Sequence, residues 1–172
     1  MNKRMVLASM IVLLMFLSMA PFVKADNKVP ASEINQSAFK VIEGETSILN
    51  SGIIQFRGFE YDLVGQLTIG STTYSLYCHN TLDGVYNPNT EVLSYRSDAV
   101  WYIDPATTTS ANGFAGNVEV KEYGIASYPP TSAITEAAWH CTLQGFGEFA
   151  GETLVLSAQI GDSSMTGFVI VH

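Results

Sequence analysis

Positive charge is scarce in this chain. It carries 8 Lys and Arg against 16 Asp and Glu, a formal net charge of −8. Lys3, Arg4 and Lys24 fall within the first 25 positions, so only Lys28, Lys40, Arg57, Arg96 and Lys121 remain beyond Ala25. A phosphate-binding surface needs such residues in clusters, and these are scattered. Nucleic acid and anionic lipid head groups are therefore poor candidate partners. Histidine is limited to His79, His140 and His172. A Ser–His–Asp hydrolase would have to use one of them, yet no Gly-x-Ser-x-Gly elbow singles out a serine, and no zincin helix motif occurs. No sustained helical period follows residue 25, which argues against a helical bundle. Charged residues make up 14% of the chain and aromatics 11%. That balance supplies enough apolar surface for a core and excludes disorder over most of the length.

What is present begins with a leader. "MNKRMVLASMIVLLMFLSMAPFVKADN" places Lys3 and Arg4 before an apolar run from Met5 to Ala20, then Pro21, then the small-residue pattern of Val23 and Ala25. This order predicts a secretory signal peptide over residues 1–25, cut before Asp26. The run is short for a bilayer span, so no stable membrane insertion is expected after cleavage. Residues 26–38 are polar and mixed, and read as a flexible lead-in. Residues 39–172 read as one domain. "NQS" at Asn35 is an N-glycosylation sequon, relevant only in a host that glycosylates.

Period-two alternation dominates the domain. "NVEVKEY", "GQLTIG" and "TLVLSAQI" alternate apolar with polar residues, and "SGIIQFRGFEYD", "TTYSLYCHN", "DAVWYID", "TEAAWHCTLQ" and "MTGFVIV" fit the same pattern. Turn signals stand between them in "LDGVYNPNT", "DPATTTSANG", "SYPPT" and "IGDSS". The pattern predicts an all-β fold, an antiparallel barrel of about eight strands. The alternative is an immunoglobulin-like sandwich, although "NPNTEV" lies where its tryptophan should follow the first cysteine.

Glycine clusters in "HCTLQGFGEFAGETLVLS", at Gly145, Gly147 and Gly151. A dinucleotide loop would need a helix after the glycines to hold the pyrophosphate. Alternating "ETLVLSAQI" follows instead, so these glycines read as a turn or bulge between strands, and no cofactor is expected. The only cysteines are Cys78 and Cys141. In an exported chain an even count favours a disulfide, and a bridge over this separation would contribute about 4 kcal/mol. "YCHN" and "WHCT" set a histidine beside each cysteine in mirrored order. If the two strands pair antiparallel with Cys78 facing Cys141, then His79 faces His140 on the other side of the sheet. That pair becomes a candidate site for copper or zinc, or a pH-sensitive contact. Asp83, Asn87, Asn89 and Glu91 lack the spacing of a calcium loop, and Asp62, Asp98 and Asp104 read as solvated carboxylates near strand ends.

"LQGFGEFAGETL", with a strand and then "TGFVIV" after it, resembles the Gly-x-Gly-x-Phe hairpin of the dirigent and allene oxide cyclase barrel superfamily. It is most similar to uncharacterised secreted prokaryotic proteins that end in this way. The resemblance covers about the last 35 residues. It implies an eight-stranded antiparallel barrel, often oligomeric, with an apolar cavity. In the cyclases the cavity guides ring closure of a fatty-acid-derived epoxide, and in dirigent proteins it steers coupling of phenoxy radicals. None of those functional residues aligns here, so no catalytic residue is carried over. Three expectations follow. The first is a secreted, non-catalytic module for a small apolar or aromatic ligand or a partner protein. The second is an isomerase or cyclase, which needs a buried carboxyl group. The third is a cell-surface interaction domain, which needs an exposed apolar patch or sheet edge.

Overall fold

The structure is a computed structural model that describes residues 27–42, 44–104, 111–125, 137–159 and 164–172, with side chains omitted over 34–42. The expected signal peptide lies outside the described residues, as do most of the "DPATTTSANG", "SYPPT" and "IGDSS" turns. Nine strands follow one another: β1 (Asn27–Ile42), β2 (Glu45–Ile48), β3 (Ile54–Ile69), β4 (Thr72–Asn87), β5 (Val92–Ile103), β6 (Gly113–Tyr123), β7 (Ala137–Phe146), β8 (Glu152–Ala158) and β9 (Met165–Val171). They form a single antiparallel sheet in the order β1-β9-β8-β7-β6-β5-β4-β3-β2, and β1 also pairs with β3. Eight strands thus close into a barrel-like ring, and β2 hangs on the outer part of β3 through Glu45↔Arg57 to Ile48↔Ile54. One closed sheet replaces the two packed sheets of the sandwich alternative.

Alternation decides which side chains face inward. On β4, Leu76, Cys78 and Asn80 are buried, while Tyr77, His79 and Thr81 between them are only partly so. On β5, Leu93, Ser97, Ala99, Trp101 and Ile103 repeat the pattern. The inward set forms one apolar cluster that includes Leu67, Leu76, Trp101, Phe114, Leu143, Leu154, Leu156, Met165 and Val169. A second cluster, Phe56, Tyr86, Leu93 and Ile125, packs where β4 ends and β5 begins, and the Tyr86 hydroxyl donates to the Ile125 carbonyl at 2.6 Å. Burial on this scale, at roughly 25 cal/mol per Å² of apolar surface, is the main favourable term holding the ring.

Three sequence expectations change. The stretches "SGIIQFRGFEYD" and "GQLTIG" belong to one strand, β3, rather than two. A register shift between Phe56 and Phe59 absorbs the irregularity, with Gly58 at φ +65 and its amide donating to Asp83 Oδ1 at 2.8 Å. The turn expected at "LDGVYNPNT" is shorter, because Leu82–Asn87 stay in β4, where Leu82 and Tyr86 pack in the second cluster. The largest change is at the front. Residues 27–38, read as a flexible lead-in, lie in β1, which runs against β9 from Asn27↔Val171 and against β3 from Ala31↔Ile69 to Ile42↔Glu60. Without β1 the ring would stay open between β9 and β3; residues 27–33 are held by the β9 ladder and residues 31–42 by the β3 ladder.

Candidate functional site

The stretch rich in glycine links β7 to β8 through a single 3₁₀ turn, Gly147–Phe149. Gly147 takes φ +65 and Gly151 φ +90, conformations that a residue with a Cβ adopts at a cost. A methyl group on Gly145 would collide with the Phe149 carbonyl oxygen. This geometry folds Phe149 onto Phe114, with ring centroids 5.0 Å apart, and onto Tyr74 at 6.0 Å, which packs that end of the interior. β8 begins at Glu152, where a dinucleotide site would need a helix.

The two cysteines are free and buried, so the expected disulfide is absent. They also stand on strands that do not pair. Cys78 lies on β4 between Leu63 of β3 and Trp101 of β5, and Cys141 lies on β7 between Val118 of β6 and Leu156 of β8. Each thiol faces the core as a small apolar group. Burial pushes the Cys141 thiol up to about 12 and the Cys78 thiol well above its ordinary range, so both are inert. The histidine pairing derived from that bridge goes with it. Strands β5 and β6 stand between His79 and His140. His79 has Asp62 and Val100 as register neighbours, and His140 has Glu119 and Ser157. Among the described residues no three of His, Cys, Asp and Glu cluster as a metal site. Asn35 lies on β1 opposite Gly65, with its side chain outside the description.

His79 instead belongs to an outer-face network. Its Nδ1–H donates to Asp62 Oδ1 at 2.7 Å, and the Tyr77 hydroxyl also bonds that carboxyl. Asp62 is buried although it points outward, so it is not the solvated carboxylate that its composition suggests. His140 lines a separate open groove of 740 Å³ across β5–β8, beside Arg96, Glu119, Lys121 and Trp139. Asp98 lies in a smaller depression with Asp83 and Arg96, and Asp104 accepts the Ser75 amide at 2.8 Å.

The chemistry gathers inside the ring. Glu33 on β1 faces inward between Leu67 of β3 and Met165 of β9, and its Oε1 has no hydrogen-bond partner. Burial pushes this carboxyl up to about 8, so at neutral pH it is a neutral acid that can donate. Asn80 Nδ2 and Trp101 Nε1 are likewise unanswered. Both are donor atoms, and an indole N–H has no other use. Glu122 on β6 is half answered. The Tyr95 hydroxyl donates to its Oε1 at 3.0 Å while Oε2 has no partner, and burial pushes it up to about 6 against the opposing effect of that bond. Tyr61 and Tyr95 are also bonded to each other. Tyr61, Tyr95 and Glu122 thus form one contiguous buried polar group. Glu33, Asn80, Trp101 and Glu122 are each between 1 and 3 % exposed. Unpaired polar atoms at that depth cost about 1–3 kcal/mol each, a cost that proteins carry mostly where a partner of another kind is to be received.

No family model fits the chain, and no curated protein and no solved structure is detectably similar. The interior therefore has to be read from its own atoms. Glu33, Asn80 and Glu122 were not candidates in the sequence, where Trp101 reads as core packing rather than a sugar platform. A signal existed in two cases: Asn80 continues the inward phase of Leu76 and Cys78, and Glu122 that of Val118 and Val120. Glu33 follows Val29 and Ala31 in the same way, but among polar neighbours that hide the phase.

Proposed function

We propose that this chain is an exported, non-catalytic barrel-like domain that takes a small apolar or aromatic ligand inside its ring. The observation that carries the reading is the set of unanswered polar atoms of Glu33, Asn80, Trp101 and Glu122, all buried inside the ring. Ligand sites have this composition: apolar walls for affinity and a few polar groups for orientation. The leader-like first 25 residues support export. The hairpin-like "LQGFGEFAGETL" that resembles the dirigent and allene oxide cyclase superfamily supports a barrel with an interior role. The test is titration with the neutral fluorescent probe N-phenyl-1-naphthylamine. Saturable one-site enhancement is expected, together with energy transfer from tryptophan that falls in Trp101→Phe. Fluorescence that rises only when the protein is unfolded would overturn the reading.

A second reading, an isomerase or cyclase, is favoured by Glu33, a carboxyl kept protonated at neutral pH in the same enclosure as the more acidic Glu122. Two carboxyls with separated proton affinities can serve as acid and base. It predicts that a fatty-acid-derived epoxide is consumed faster with the protein than without it, and that Glu33→Gln removes the difference. A third reading, an interaction domain, draws on β2, which ends the sheet and leaves Ile48 and Leu49 exposed. It predicts concentration-dependent self-association that Ile48→Lys abolishes.

A further inference from the structure

We infer that the outside of the ring carries a second site, an aromatic row of Tyr77, Tyr102 and Phe146 that takes a single chain of a neutral, soluble polysaccharide. The inference stands apart from the interior-site reading above. Register fixes the row: Val64 of β3, Tyr77 of β4, Tyr102 of β5, Gly113 of β6 and Phe146 of β7 are successive partners across the sheet. Tyr77 and Tyr102 stand in the outward phase, between the buried pairs Leu76 and Cys78, and Trp101 and Ile103. All three rings are half-buried, and Val64 at the end of the row is 37% exposed. Ring centroids lie 6.0 Å apart from Tyr77 to Tyr102 and 6.1 Å from Tyr102 to Phe146. Two features lay the end rings along the sheet. The Tyr77 hydroxyl donates to Asp62 on the neighbouring strand, which tethers the far end of that ring over β3. Phe146 reaches over Gly113, where an added Cβ would stand 2.8 Å from its Cζ, so the missing side chain makes room for the ring. A ring laid down in this way turns a face outward, and that face is the negative side of the aromatic quadrupole. The C–H face of a sugar ring is its apolar, weakly positive counterpart.

Charge and width select the occupant. The outward row alongside is Asp62, His79, Val100, Ala115 and Gln144. Its one carboxyl, Asp62, is buried and taken up by Tyr77 and His79, and neither row holds a Lys or Arg. A chain of formal net charge −8 thus keeps this strip free of exposed carboxylates. An anionic occupant would meet no counter-charge and would be repelled by the protein as a whole. The hydroxyls of a neutral glycan find partners at the edge of the strip. His79 offers Nε2, since Nδ1 is engaged by Asp62, and Gln144 offers its amide nitrogen, since Oε1 accepts from Thr153. A second copy of the chain is the rival occupant. A stable dimer takes about 800 Å² from each partner, more than a single file of half-buried rings supplies, and two copies of the same negative charge repel each other. A strip one side chain wide matches one polymer strand. The rings are also stepped, with interplanar angles of 38° and 77° along the row. A stepped row follows a twisted chain in solution and does not lie flat on a crystalline one.

The test is electrophoresis of the intact protein in native gels cast with hydroxyethylcellulose, xyloglucan, galactomannan or polygalacturonate. At least one of the three neutral chains is expected to retard the protein, and the anionic polygalacturonate is not. Tyr102→Ala should weaken the retardation about tenfold, while Tyr102→Phe should keep it, because the ring rather than the hydroxyl makes the contact. Tyr77→Ala reads the other end of the row and serves if Tyr102→Ala does not fold. Retardation by none of the neutral chains would overturn the inference, as would equal retardation of the parent and the alanine variants, or strongest retardation by polygalacturonate. Sedimentation with microcrystalline cellulose in the absence of any soluble-chain retardation would overturn it too. A concentration-dependent dimer that Tyr102→Ala abolishes would assign the row to a second copy and overturn it in favour of that rival.

Discussion

Asp62 and Glu33 lie on strands that pair with each other, and both are removed from solvent. They nevertheless differ in kind. Asp62 faces outward and is held by His79 Nδ1–H and the Tyr77 hydroxyl. Glu33 faces inward, and its Oε1 finds no hydrogen-bond partner among the described residues. Glu122 stands between them, with one oxygen answered by Tyr95 and the other not. A carboxyl that is fully bonded contributes to the fold. One that is buried without partners weighs against the fold, and its retention points to something outside it. Asp62 therefore reads as architecture and Glu33 as a mark of recognition.

The sharpest way to break that comparison is pH. The Glu33 carboxyl lies at about 8 in the folded chain against 4.5 unfolded. Between those values the folded state holds a proton that the unfolded state has released, so stability falls as pH rises from 4.5 to 8 and then levels. The full span is on the order of 5 kcal/mol. Glu33→Gln is expected to flatten the slope, matching the parent near pH 5 and exceeding it near pH 9 in urea unfolding. An unchanged slope would mean that Glu33 is not buried unpaired. Glu122 gives the intermediate case. Its rise from 4.5 to about 6 predicts a loss of about 2 kcal/mol confined to that interval, which Glu122→Gln should remove.

Asp62 should behave in the opposite sense. Asp62→Ala strips acceptors from His79 and Tyr77, and is expected to destabilise by about 1–2 kcal/mol by the same measurement, where Glu33→Gln stabilises at high pH. Smaller still is the response to reductant. With Cys78 and Cys141 free and buried, dithiothreitol should leave the melting temperature unchanged, and a thiol reagent should find two thiols only after denaturation. A drop in melting temperature on reduction would show a bridge across the ring.

These contrasts also mark what was legible in the sequence. Period-two alternation around residues such as Val118, Val120, Leu154 and Leu156 carries the strands and the all-β class, because burial on one face repeats every second residue. The glycines between β7 and β8 were legible for the same reason, since an alternating strand on each side leaves only a turn between them. Register was not legible. Pairing of β4 with β5, and of β7 with β6 and β8, follows from the order in which strands neighbour one another, and nothing in "YCHN" or "WHCT" encodes it. An even cysteine count was a statistical cue, and ring order overrode it. β1 escaped notice because its stability comes from two flanking ladders rather than from its own apolar residues. Glu33 was lost along with that strand.

The closing strand also sets an order of events in time. Asn27 pairs with Val171, and Ala31 with both Gly167 and Ile69. The seam between the first strand and the last cannot form until Val171 has been synthesised, while the β3–β4 and β4–β5 hairpins can form from neighbouring residues much earlier. Such distant contacts make folding slow, because a long loop must be ordered before its ends reward it. The ring therefore stays open until β9 is there to pair with β1.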